Sequence, residues 1–149
     1  MTKHFVAATC ALLLALPASA AELIRLESPH SVAETVDRLE AAVTEAGARV
    51  FARVDHAAGA ASVDQELAPV QMLMFGNPAL GTPAIYADAA AGLDLPLRVV
   101  VYEGADGSVT LAYHDPASLA ETHDIAADAE VITRMTGALA GLTGQAVAE

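Results

Sequence analysis

The chain has one cysteine, Cys10, one lysine, Lys3, and no tryptophan in 149 residues. Cys10 lies inside an N-terminal apolar run that is expected to be removed, which leaves no thiol in the mature protein. That excludes thiol catalysis, iron–sulfur clusters, covalent haem through C-x-x-C-H, and thiolate zinc or copper sites. It also excludes a disulfide, so stability rests on packing. Basic residues are scarce, 7 against 19 acids, and the six arginines (Arg25, Arg38, Arg49, Arg53, Arg98 and Arg134) are spread along the chain. Without clustered Lys or Arg, nucleic-acid binding by counterion release is excluded. The negative surface disfavours anionic membranes and polyanionic substrates as well. The serines lie in no Gly-x-Ser-x-Gly elbow. The four histidines beyond the leader, His30, His56, His114 and His123, form no H-x-H, H-x-x-x-H or H-E-x-x-H spacing.

The N-terminus is richer in signal. Lys3 and His4 precede the uncharged run Val6–Leu16, Pro17 breaks it, and Ala18-Ser19-Ala20 offers the small-x-small pattern of a signal-peptidase site. The run falls well short of the ~20 apolar residues of a membrane span. A cleavable signal peptide over residues 1–20 is therefore expected, with a periplasmic or secreted mature chain that has no membrane attachment. Removal of Lys3 takes the net charge from −12 to −13. Residues 21–149 make up one domain, and no linker, repeat or charge run divides it.

Leu23–Leu26 is a short strand candidate. Ser31-x-x-Glu34 is a capping-box pattern, and Val32, Val36, Leu39 and Val43 recur at helical spacing, which predicts a helix over 31–46 closed by Gly47. Alternation predicts a strand over Arg49–Asp55, followed by an Ala-rich stretch with weak helical character. A strongly apolar strand spans Val70–Phe75. Thr82-Pro83 reads as a helix start running to about Ala91. Leu97–Glu103 and Val109–His114 flank Gly104-Ala105-Asp106-Gly107 as a hairpin. A closing helix is expected over Ala126–Leu142. The order β-α-β-β-α-β-β-α indicates an α+β fold of two layers, a mostly antiparallel sheet with helices packed on one face.

Four segments carry a resemblance: Val54-Asp55-His56-Ala57; Leu67-Ala68-Pro69 on to Phe75-Gly76-Asn77-Pro78 and Gly81-Thr82-Pro83; Gly92-Leu93-Asp94-Leu95-Pro96-Leu97; and Val109–Tyr113 with Asp115-Pro116. In this order, over residues 23–142, they resemble the family called domain of unknown function 302. The resemblance implies a small two-layer α+β domain and supplies no catalytic residues.

The candidate pocket residues are Asp55, His56, Asn77, Tyr113 and His114. Asp55-His56 ends a strand, where a carboxylate beside an imidazole suits general-base or metal chemistry. Neighbours on a strand point to opposite faces, however, and Asp55 also suits the cap of the following turn. A His/carboxylate metal set would draw on His56, His114, His123 and Asp115. Met72 and Met74 share a strand face; thioethers suit copper(I), but an apolar strand indicates core packing. Gly76-Asn77-Pro78-x-x-Gly81-Thr82-Pro83 leads into a helix, yet it lacks a Walker lysine and its backbone-forming residues explain it by conformation. Tyr86, Tyr102 and Tyr113 could line a pocket. The preferred reading is an exported binding or interaction module, without cofactor, that self-associates as a homodimer. The alternative is a small-ligand or metal-binding protein or enzyme in which His56, Asn77 and His114 converge.

Overall fold

Alternating sequence builds strands with the expected bounds over Arg49–Asp55, Leu97–Glu103 and Val109–His114. The computed structural model describes residues 23–149; the expected leader over 1–20 lies outside them. The strands are β1 (Leu23–Ser28), β2 (Arg49–Asp55), β3 (Val70–Gly76), β4 (Leu97–Glu103) and β5 (Val109–His114). They form one antiparallel sheet in the order β1-β5-β4-β3-β2. The helices are α1 (Val32–Glu45), α2 (His56–Ala61), α3 (Pro78–Ala87), α4 (Leu119–Thr122) and α5 (Glu130–Ala146), with 3-10 turns at Ala89–Leu93 and Pro116–Ser118. The expected α+β architecture is present, with the short helices α2 and α4 added to the expected order.

The helix α1 starts as its sequence requires. The Ser31 hydroxyl accepts the Glu34 N–H at 3.2 Å, while the Glu34 carboxylate turns to His30 Nδ1 at 3.3 Å instead of closing the reciprocal half of the box. Gly47, at φ +72°, lets the chain leave the helix in the left-handed region. Val36, Leu39 and Val43 are fully buried, each worth about 1.5–3 kcal/mol of gross transfer free energy. They pack with Leu139, Leu142 and Ala146 of α5 onto Leu73, Phe75, Val99, Val101, Leu111 and Tyr113 of the sheet. The buried Ser28 and Thr35 hydroxyls bond each other at 2.7 Å, so the core holds their polarity without an orphaned group.

Three helix or strand expectations are corrected. Thr82-Pro83 does not open a helix: α3 begins at Pro78, because the Asn77 carboxamide accepts the Ala79 N–H at 2.9 Å and Pro78 occupies the first turn. Pro83 then lies inside α3, which keeps only Ala84 buried. The closing helix begins at Glu130 rather than Ala126, because Ala126–Ala129 forms a turn closed by Ala129 N–H to Ala126 O. Met72 and Met74 are not core residues. Leu73 and Phe75 take the helix-covered face of β3, which leaves both methionines half-buried on the opposite face.

A second small core, of Ala84, Ala91, Leu119, Ile125, Ile132 and Met135, extends beyond the end of the sheet where β3 stops and β4 begins. The junction between the two cores holds an apolar cavity.

Candidate functional site

Antiparallel neighbours reverse direction at each step. β2 therefore ends at one end of the sheet, and β3 and β5 end at the other. The pairing register agrees, with Asp55 opposite Gln71 and Arg49 opposite Gly76. Asp55 and His56 are thus separated from Asn77 and His114 by the length of the strands. Asp55 caps α2, accepting the Ala58 N–H at 2.9 Å, and His56 is exposed on the first turn of that helix. Tyr113 is in the main core at 5 % exposure. The expected convergence of His56, Asn77 and His114 does not occur, and of the candidates only Asn77 and His114 share an end of the sheet.

At that end lies an apolar cavity of about 270 Å³. Its floor is Phe75, Leu97, Leu139 and Leu142 of the main core, and Met135 and Ala138 of α5 continue it toward the second core. Leu80, Gly81, Thr82 and Ile85 of α3 form one wall, and Leu95 and Pro96, joined by a cis peptide bond, form another. Phe51 closes the β2 side. An irregularity in the β2–β3 register between Val50 and Ala52 sets two residues against one, so both Val50 and Phe51 serve the helix-covered face. Asn77 and Thr82 are the only side chains in the lining that carry hydrogen-bonding groups, and no ionisable residue is among them. Of the lining residues, Phe51 and Ile85 remain 49 % and 42 % exposed.

On the other side of the Leu97–Leu139 contact is a polar cleft of about 180 Å³ that includes Asp94, Arg98, His114, Asp115 and Thr122. His123 is committed elsewhere: its ring, with the side chain only 6 % exposed, sits 2.7 Å from Asp94 Oδ2 and 3.7 Å from Asp88 Oδ2. The Asp88 carboxyl lies below the usual carboxylate range, chiefly because it accepts the Asp124 and Ala90 backbone N–H groups, with His123 adding a smaller pull. Asp115 caps the following turn through the Ala117 N–H. The metal set His56, His114, His123 and Asp115 is therefore not assembled, and among the described residues no three His, Cys, Asp or Glu side chains are grouped to hold a metal ion.

The residues that converge on the cavity come mainly from two stretches, Phe75–Thr82 and Leu95–Leu97, both within the blocks that carry the family resemblance. A family model described as domain of unknown function DUF302 matches residues 24–142. The chain belongs to the DUF302 family. A solved DUF302 protein from Bacillus stearothermophilus shares the fold, with a TM-score of 0.76 and 20% identity over 85% of this chain and 99% of that one. Among curated proteins, the fluoride-specific ion channel FluC 1 of Brucella suis is 42% identical over 109 residues, 73% of this chain and 43% of that protein. FluC 2 of Brucella melitensis is also 42% identical over 109 residues, 40% of its length. The DUF302 chain thus spans less than half of the curated relatives it matches.

The sequence reading found Asn77 but missed Phe51, Leu95, Met135 and Ala138. Apolar residues scattered over four elements carry no local motif. The signal available was that the blocks around Phe75–Pro83 and Leu93–Leu97 flank the same end of adjacent strands.

Proposed function

We propose that this protein is an exported binding module whose cavity between α3, the Leu95-Pro96 segment and α5 takes a small uncharged apolar molecule. One observation carries the reading: the two family blocks fold against each other around a cavity that is apolar apart from Asn77 and Thr82. A cavity of 150 Å³ suffices for benzene, so about 270 Å³ suits a ligand of roughly eleven non-hydrogen atoms. An ion entering this lining would lose hydration without a paired charge, which restricts the ligand to neutral molecules. The Asn77 amide and the Thr82 hydroxyl offer one polar contact at the rim. The absence of a nucleophile–base pair in the lining favours binding over catalysis. Fluoride conduction belongs to the whole Brucella proteins and is not carried over, because the match covers under half of each and this cavity is no site for an anion.

Indole, with one N–H donor on a two-ring apolar body, is the probe of choice. Thermal denaturation with and without millimolar indole should show a midpoint rise that saturates, as expected for a ligand of the native state. Ala138→Phe, which places a ring in the cavity, should abolish that rise while keeping a native melting transition. An unchanged midpoint across indole and neutral C6–C10 alcohols would remove the reading. The export component is tested separately by mass spectrometry of the protein from the cell, which should start at Ala21.

A further inference from the structure

We infer that the sheet face left uncovered by the helices is the interface of a homodimer, with Met72, Met74 and Val100 at its centre. Register places Val54, Met72, Val100 and Ala112 in one row across four strands. Val70 and Tyr102 extend the apolar surface on one side of that row, and Ala52 and Met74 on the other. Every one of these side chains lies on the side of the sheet away from α1 and α5, and all but Ala112 keep part of their surface accessible.

Charge selects a second copy as the occupant. The chain carries 19 acids and 7 basic residues, so most approaches of two copies bring like charges together. Along the uncovered face, the described strands contribute Arg25, Arg49, Arg98 and a single acid, Glu27; Arg25 continues the central row on β1, and the other three lie outside it. Two copies therefore meet across this face without opposing the acidic surfaces that dominate the chain and with apolar surface to bury. The area is adequate. A sheet of this many strands, with about 4.8 Å between them and about 3.3 Å of rise per residue, covers roughly 500 Å² in plan. Side-chain relief brings that toward the roughly 800 Å² per partner of a stable interface. Stacked sheets lie about 10 Å apart, a gap that two layers of Met and Val fill, and the flexible thioethers adapt to each other.

Sedimentation velocity of the full protein over roughly 1–100 µM tests the inference. The expected result is a dimer that dissociates on dilution and tightens when salt rises from about 50 to 500 mM, because screening relieves the repulsion between two acidic copies. Val100→Glu should weaken association at least a hundredfold with an unchanged far-UV spectrum. Met74→Lys, on a neighbouring strand, should do the same if Val100→Glu fails to fold. A monomer at every concentration overturns the inference, as does a dimer that salt weakens or that survives both substitutions. The cavity reading is independent of all these outcomes.

Discussion

Leu139→Ala is the substitution on which the two-cavity arrangement makes its sharpest demand. Leu139 is 1 % exposed, belongs to the main core, and lines both the apolar cavity and the polar cleft. Truncation loses about 2 kcal/mol of transfer free energy and vacates roughly 80 Å³, which adds about 2 kcal/mol more at ~24 cal/mol per Å³. The expected cost is about 4 kcal/mol, because open volume on two sides leaves no packed neighbour to move in. With a denaturant slope of about 2 kcal/mol per molar, the urea midpoint should fall by about 2 M. Far-UV circular dichroism during urea titration measures this directly. Leu93→Ala, at a position 81 % exposed, is the control and should change stability by less than about 0.5 kcal/mol. A midpoint change below about 0.5 M for Leu139→Ala would refute the packing argument, since Leu139 would then not be the wall between two voids.

Gly81→Ala should stabilise the protein by about 0.5–1 kcal/mol, because Gly81 is within α3 and an alanine loses less backbone entropy there. Its new Cβ meets Leu95 Cδ1 at 3.8 Å, an ordinary contact, so a raised melting midpoint with weakened indole binding is the expected pair of results. Asn77→Ala should cost about 1 kcal/mol through loss of the α3 cap. Asn77→Asp should retain that stability, since it keeps the acceptor, but weaken indole binding by placing a charge at the rim; calorimetry with each variant separates the two effects. Asp88→Asn should destabilise the protein at neutral pH. The Asp88 carboxyl is held below its ordinary value of 3.8, so its stabilisation is complete above that value and lost as pH falls through the lower folded one. The difference between wild type and Asp88→Asn should therefore shrink on acidification, as read from denaturation midpoints along a pH series.

Much of the fold was legible because local signals and tertiary demands agree. Arg49–Asp55 alternates, and Val32, Val36, Leu39 and Val43 repeat at helical spacing, so pattern and burial coincide. Legibility failed where two sets of residues offered the same local cue. Thr82-Pro83 and Asn77-Pro78 are both cap-plus-proline pairs, and only the packing of α3 on α5 selects the second. Met72 and Met74 read as core because β3 is apolar throughout; alternation cannot distinguish a buried face from an apolar uncovered one. The candidate site was half legible. Asn77 was found from its loop chemistry. His56 was grouped with Asn77 and His114 although consecutive antiparallel strands place the end of β2 opposite the ends of β3 and β5. The cavity itself has no single-segment signature, since Phe51, Leu95 and Met135 meet only in the folded chain.

The binding claim is tested most directly by methyl NMR of the methionine-labelled protein during indole titration. Met135 lines the cavity, whereas Met72 and Met74 lie on the far face of the sheet. The account predicts a saturable shift of the Met135 methyl signal with Met72 and Met74 unmoved, and loss of that shift in Ala138→Phe. Shifts confined to Met72 and Met74, or none at saturating indole, would contradict it.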